Sequence, residues 1–197
     1  MIPGVRFRAT RRRPSGLITF DNSTVLDGSA TTSFGLTVGG SNATIIVFAA
    51  GNLTNAATVD GVAMTLIGKS SNAAMWAITG LAAGARNVVV TRAAATSYIV
   101  SAMSYLGAAS FAGGVVNSGT GTAMSSAPTG GQLKVAGFDF SSSSADFAGI
   151  TTDGTQRVKY RRVNGNNVLV ADKPTGPIGA TLVGSSSWTS IGVSLAA

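Results

Sequence analysis

Seven aspartates are the only acids among the 197 residues, and histidine, cysteine and glutamate are absent. That removes the side chains most used as general bases, metal ligands and thiol nucleophiles. The chemistry left to test is that of paired carboxylates. Asp139, Asp146 and Asp153 sit in or beside loop-like stretches, where two carboxylates at a set separation can hydrolyse a glycosidic bond. The spacing fixes no two of them together, and Asp is a default turn residue. No loop of regularly spaced Asp and Asn suggests calcium. Lys69 beside Ser70 is one adjacency among many serines, and Gly119-Thr120-Gly121 lacks the rest of a dinucleotide fingerprint. The sequence assigns no catalytic residue, no metal and no cofactor, and an enzyme is the least favoured class.

The basic residues are the stronger signal. Arg6, Arg8, Arg11, Arg12 and Arg13 fall within residues 1–13, which contain no acid. Residues 14–197 hold nine basic against seven acidic groups, so the formal charge of +7 is mostly that of the first segment. With Phe7, these arginines read as an extended arm over 1–16, ending at Pro14-Ser15-Gly16. It could dock on a neighbouring subunit, lie along nucleic-acid phosphates with salt-sensitive binding, or be an unstructured basic terminus. Phe7 is its one aromatic, so base stacking has little support and nucleic acid is a weak partner. A second set is Arg157, Lys159 and Arg161. In a strand these alternate residues share one face, with Val158 and Tyr160 on the other. That stripe would bind an anion or a partner, or simply guard an edge strand with charge.

The frame that must carry these groups reads as all β. Charged residues make up 11%, well below the roughly 25% of ordinary soluble domains. Apolar runs at Thr44–Ala50 and Tyr98–Leu106 are about half the ~20 residues of a membrane-spanning helix, so none is expected. Short runs also occur at Leu17–Phe20, Thr31–Val38, Val62–Ile67, Ala73–Ile78, Asn87–Arg92, Leu133–Phe140, Gln156–Val163, Val168–Ala171, Thr181–Val183 and Trp188–Leu195. Gly, Asn, Asp or Ser separates nearly all of them. Asp60-Gly61 and Asn164-Gly165 have the chemistry of type I′ hairpin turns, in which both central residues need positive φ. Residues 107–131 read as a long connection or two weak strands, and 141–154 as an exposed loop. Trp76, Trp188, Tyr98 and Phe48 read as core. No internal repeat and no second domain is visible. The expectation is one two-sheet antiparallel β-sandwich of about ten strands over 17–197, preceded by the basic arm.

The order of segments carries a resemblance. Val38-Gly39-Gly40-Ser41-Asn42 leads into Thr44–Phe48, followed by VDGVAMTLIG (Val59–Gly68), AAMWAITGLAAGARNVVVT (Ala73–Thr91) and YIVSAMSYLGAAS (Tyr98–Ser110). A late GGQLKVAGFDF (Gly130–Phe140) and a closing WTSIGVSLAA (Trp188–Ala197) complete it. This order resembles the β-sandwich domains of minor tail and other virion proteins of tailed bacteriophages, notably those of actinobacteria. The resemblance spans residues 31–197, implies a jelly-roll-like sandwich, and transfers no functional residue. It implies a structural protein of the virion, a minor tail or tail-tip subunit, assembled in the bacterial host cytoplasm. Its partners would be other virion proteins within a symmetric homo-oligomer. The alternatives are a capsid decoration or minor capsid protein, and a module that binds a host receptor or host-surface glycan.

Overall fold

A computed structural model describes residues 16–51, 56–92, 97–162 and 165–197. Among them run fifteen strands and one short helix. The first half contributes β1 (Thr19–Ser29), β2 (Thr32–Val38), β3 (Ala43–Ala50), β4 (Ala56–Val59), β5 (Val62–Ala63), β6 (Thr65–Lys69), β7 (Ala73–Leu81), β8 (Gly84–Thr91) and β9 (Ser97–Leu106). The second contributes β10 (Ser110–Ser126), β11 (Leu133–Phe140), α1 (Ser144–Ala148), β12 (Thr151–Thr152), β13 (Thr155–Arg161), β14 (Asn167–Lys173) and β15 (Ile178–Ala196). No helix among the described residues is long and apolar enough to cross a membrane.

The expected all-β antiparallel sandwich forms, with its strands divided among three hydrogen-bonded sheets where two were expected. One sheet has the order β1-β9-β3-β7-β6, a second β2-β8-β4-β5, and a third β10-β15-β11-β14-β13 with β12 paired to β15. The first sheet is the middle layer. One face, with Ile46, Phe48, Met75 and Met103, packs on Val135, Val170 and Val193 of the third sheet. Its other face, with Ile45, Val47, Trp76 and Val100, packs on Leu36, Val59 and Val88 of the second. Every residue of β3 is therefore buried. That is why Thr44–Ala50 reads as an unbroken apolar run instead of alternating. Each large side chain so buried contributes roughly 1.5–3 kcal/mol.

The chain also repeats itself, which its sequence does not announce. In the first half the opening strand β1 pairs with the closing strand β9, β9 with β3, β3 with β7 and β7 with β6. In the second half the opening β10 pairs with the closing β15, β15 with β11, β11 with β14 and β14 with β13. The outer pairings match as well. β8 takes β2 and β4, and the start of β15 takes the end of β10 (Ala123–Ser126) and β12. Both halves carry a bulge at the same place, between Leu66 and Gly68 opposite Trp76 and Met75, and between Gln156 and Val158 opposite Ala171 and Val170. The shared bulge fixes the correspondence residue by residue. Ile67 matches Arg157, Phe48 matches Gly137, Ala50 matches Asp139, and Ala77 matches Asp172.

The two Asp-Gly corners repeat down to their hydrogen bonds. The Asp60 amide donates to the Asn87 carbonyl at 2.8 Å, and the Asn87 amide donates back to the Asp60 carboxylate at 2.8 Å. The Asp153 amide donates to the Gly179 carbonyl at 3.1 Å, and the Gly179 amide returns the bond at 2.8 Å. A cation finishes each corner, Arg86 at 3.0 Å from Asp60 and Lys173 at 2.8 Å from Asp153. Asp60 and Gly61 both have positive φ, 51° and 81°, as the type I′ reading requires. The repeat stays hidden because a sandwich position asks only for the right face and volume. Residues can drift while pairing does not.

Residues 107–131 hold the 17-residue strand β10 rather than a connection. It is the fused counterpart of β1 and β2. Likewise Thr181–Val183 and Trp188–Leu195 belong to one strand, β15, the counterpart of β8 and β9. Residues 141–154 hold α1 and β12. Ser143 caps α1 by accepting from the Asp146 amide at 3.2 Å while its hydroxyl donates to the Asp146 carboxylate at 2.6 Å.

Candidate functional site

Arg6, Phe7, Arg8, Arg11, Arg12 and Arg13 lie outside the described residues, as does Asn164 of the second hairpin. The basic set on β13 is within them, and it does not form one stripe. The bulge before Val158 turns Arg157 to the face that packs on the middle sheet, because a bulge places two successive side chains on one side. There the Arg157 Nε donates to the Asp172 Oδ2 at 2.6 Å and its Nη2 to Oδ1 at 3.1 Å. Its guanidinium lies 4.4 Å from the Phe20 ring centroid. Lys159 points the other way, donating to the carbonyls of Ala148 at 3.1 Å and Ile150 at 3.0 Å. Two of the three cations are thus tied into the fold, and only Arg161 lines a cleft.

The aspartates divide similarly. Asp153 holds the second Asp-Gly corner, and Lys173 first, then the Gly179 amide, keeps its pKa below the usual carboxylate value. Asp60 is held low by the Asn87 amide and then by Arg86. Asp146 belongs to the cap of α1. Asp139 is different. It is the second-last residue of Leu133–Phe140, is 3% exposed, and accepts from the Asn166 Nδ2 at both oxygens, at 2.8 and 3.0 Å. Burial pushes its pKa up to about 7, against the lowering effect of the Asn166 bonds.

Asp139 borders a cleft of about 460 Å³ at one end of the molecule, where the Ser70–Asn72 turn of the middle sheet meets the third sheet. Ser118, Thr120, Asn166 and Thr189 also line it, with Trp188. A second cleft of about 660 Å³ adjoins it, bordered by Ser142, Asp146, Arg161, Arg162 and Ser186. Ser141 and Asn166 border both clefts. Around this end the Trp188 Nε1, the Arg161 Nε and the Asn167 Oδ1 are buried without a hydrogen-bond partner. The Ser70 hydroxyl is occupied, accepting from the Asn72 and Ala73 amides at 3.1 and 2.9 Å. Such an end offers one carboxyl, carboxamides and many hydroxyls, the groups that exchange hydrogen bonds with a polar uncharged ligand. Among the described residues no three His, Cys, Asp or Glu side chains gather as a metal site.

In the sequence Asp139 reads as an acid in or beside a loop, like Asp146 and Asp153. The usable signal was its setting, a lone acid between Phe138 and Phe140 inside an apolar strand run. Trp188, read as core, is half-buried against Gly119, where an added Cβ would lie 2.8 Å from the indole. No protein-family model matches the chain, and no curated protein matches it.

Proposed function

We propose that this chain is a structural component of a tailed-bacteriophage virion, a minor tail or tail-tip subunit. The observation that carries the reading is the order of segments running from Val38 to Ala197. Those segments supply the strands of an antiparallel sandwich, the architecture that the resemblance implies. The distribution of charge also supports it. Among the described residues the two Asp-Gly corners, the cap of α1 and one buried pair take up several of the few charged side chains. The large faces are left to small and hydroxylated residues suited to close subunit packing. The arginines of residues 1–13 are the tether in this reading, docking the sandwich to a neighbouring virion protein.

Deleting residues 1–13 tests it. The truncated chain is expected to keep its fold, read by circular dichroism, and to fail to enter particles assembled in an infected host. Antibody labelling of intact particles should decorate the tail. Labelling confined to the head would replace this reading with a capsid role, and no labelling of particles would reject a virion role altogether.

A further inference from the structure

We propose that the cleft bordered by Asp139, Asn166, Ser118, Thr120 and Trp188 binds a neutral saccharide. The first argument comes from the repeat. Asp139 occupies the position that Ala50 holds in the first half, and both residues are buried. The fold is thus completed at this point by a methyl group in one half and by a carboxyl in the other. A buried acid opposes stability unless it is well paired, and this one has a single neutral partner, Asn166. Nothing in the pairing of β11 requires it. A buried carboxyl that the fold does not need, at the wall of a cleft, points to a ligand.

The second argument is the chemistry of the walls. Two carboxyl oxygens with lone pairs to spare accept from neighbouring hydroxyls. The Asn166 carboxamide and the hydroxyls of Ser118, Thr120 and Thr189 both donate and accept. A polyhydroxylated ring matches that set, since each of its hydroxyls does both. The volume of about 460 Å³ lies within the roughly 300–1,000 Å³ of small-ligand sites, with room for a ring or two. No Lys or Arg borders this cleft, so an anionic sugar would meet Asp139 without a compensating cation. The arginines border the adjoining cleft instead, facing Asp146.

The test uses the full chain and a panel of neutral mono- to tetrasaccharides of glucose, galactose, mannose, rhamnose and N-acetylglucosamine. Binding is screened on an array and measured by calorimetry. At least one neutral saccharide should bind, and Asp139→Ala should weaken it by about tenfold or more while the variant stays folded. Arg161→Ala should leave that affinity unchanged. The site is refuted if none of the panel binds at 10 mM, if only acidic sugars bind, or if Asp139→Ala binds as the parent does. Particle incorporation of Asp139→Ala separates this site from the virion role, because that variant should assemble normally whether or not the saccharide site exists.

Discussion

Arg157 grips Asp172 through two hydrogen bonds, of 2.6 and 3.1 Å, inside a layer where the other half of the chain places Ile67 and Ala77. Asp172 is 3% exposed at its side chain and Arg157 25%. Beside them the Tyr105 hydroxyl is buried, its pKa raised first by burial and then by the Asp172 charge. Removing the cation strands a buried carboxylate. Arg157→Ala should therefore cost roughly 2–4 kcal/mol, discounted for the partly exposed guanidinium. Arg157→Lys should recover less than half of this, because an ammonium cannot reproduce the fork. The double change Arg157→Ile with Asp172→Ala copies the first half and should return close to parental stability. Urea midpoints of the four proteins decide it.

Asp139 gives stability a distinctive pH dependence. Its pKa is about 7 in the folded chain against an ordinary 3.8. Below about pH 4 the carboxyl is protonated in both folded and unfolded chains. Between pH 4 and 7 only the folded chain keeps the proton, so stability falls as pH rises through that window. Above 7 the full penalty of burying the ion is present, roughly 2–4 kcal/mol. Asp139→Asn should abolish the slope, being more stable than the parent at pH 8 and no better at pH 4. Asp60 and Asp153, with lowered pKa values, act oppositely, losing their contribution as pH falls below 4. Thermal melts at half-unit steps would trace both limbs, and a parent profile that is flat from 4 to 8 would count against the buried acid.

Gly137 tests the contact between the middle and third sheets. A Cβ there would meet the Phe48 ring at 2.5 Å, and Phe48 is fully buried. Gly137→Ala should cost roughly 1–3 kcal/mol through overpacking. Adding Phe48→Leu should recover part of that loss, a coupling that a double-mutant cycle measures directly.

Gly61 isolates a backbone effect. Its φ is +81° and no atom lies within 4 Å of an added Cβ. Gly61→Ala should cost about 1 kcal/mol from the left-handed conformation alone. Gly61→Asn should cost less, since Asn tolerates that region. Equal losses for the two would contradict the assigned turn.

How far the residues foretold this structure depended on range. Local signals worked: Leu133–Phe140 matches β11 residue for residue, and Asp60-Gly61 makes the expected turn. Residues 110–126 read as strand only weakly, because Gly113, Gly114, Asn117, Gly119 and Gly121 lower strand propensity and pairing with β15 is what makes them one. The stripe of Arg157, Lys159 and Arg161 failed at a single point. Strict alternation assumes no bulge, and the bulge is a property of the β13–β14 register, not of β13 alone. Asp139 was legible as an acid but not as a buried one, since its surroundings arrive from residues far along the chain.

The short link 107–109 between β9 and β10 has a consequence for how the two halves meet. Separate modules would associate only when concentrated, whereas tethered ones face each other at an effective concentration on the order of millimolar, however dilute the protein. Two identical modules would also place the same side chain at matching positions of the shared core, two rings colliding or two glycines leaving a void. One continuous chain escapes that constraint, and Phe48 lies over Gly137 as a result. Covalent continuity makes asymmetry available to a symmetric plan.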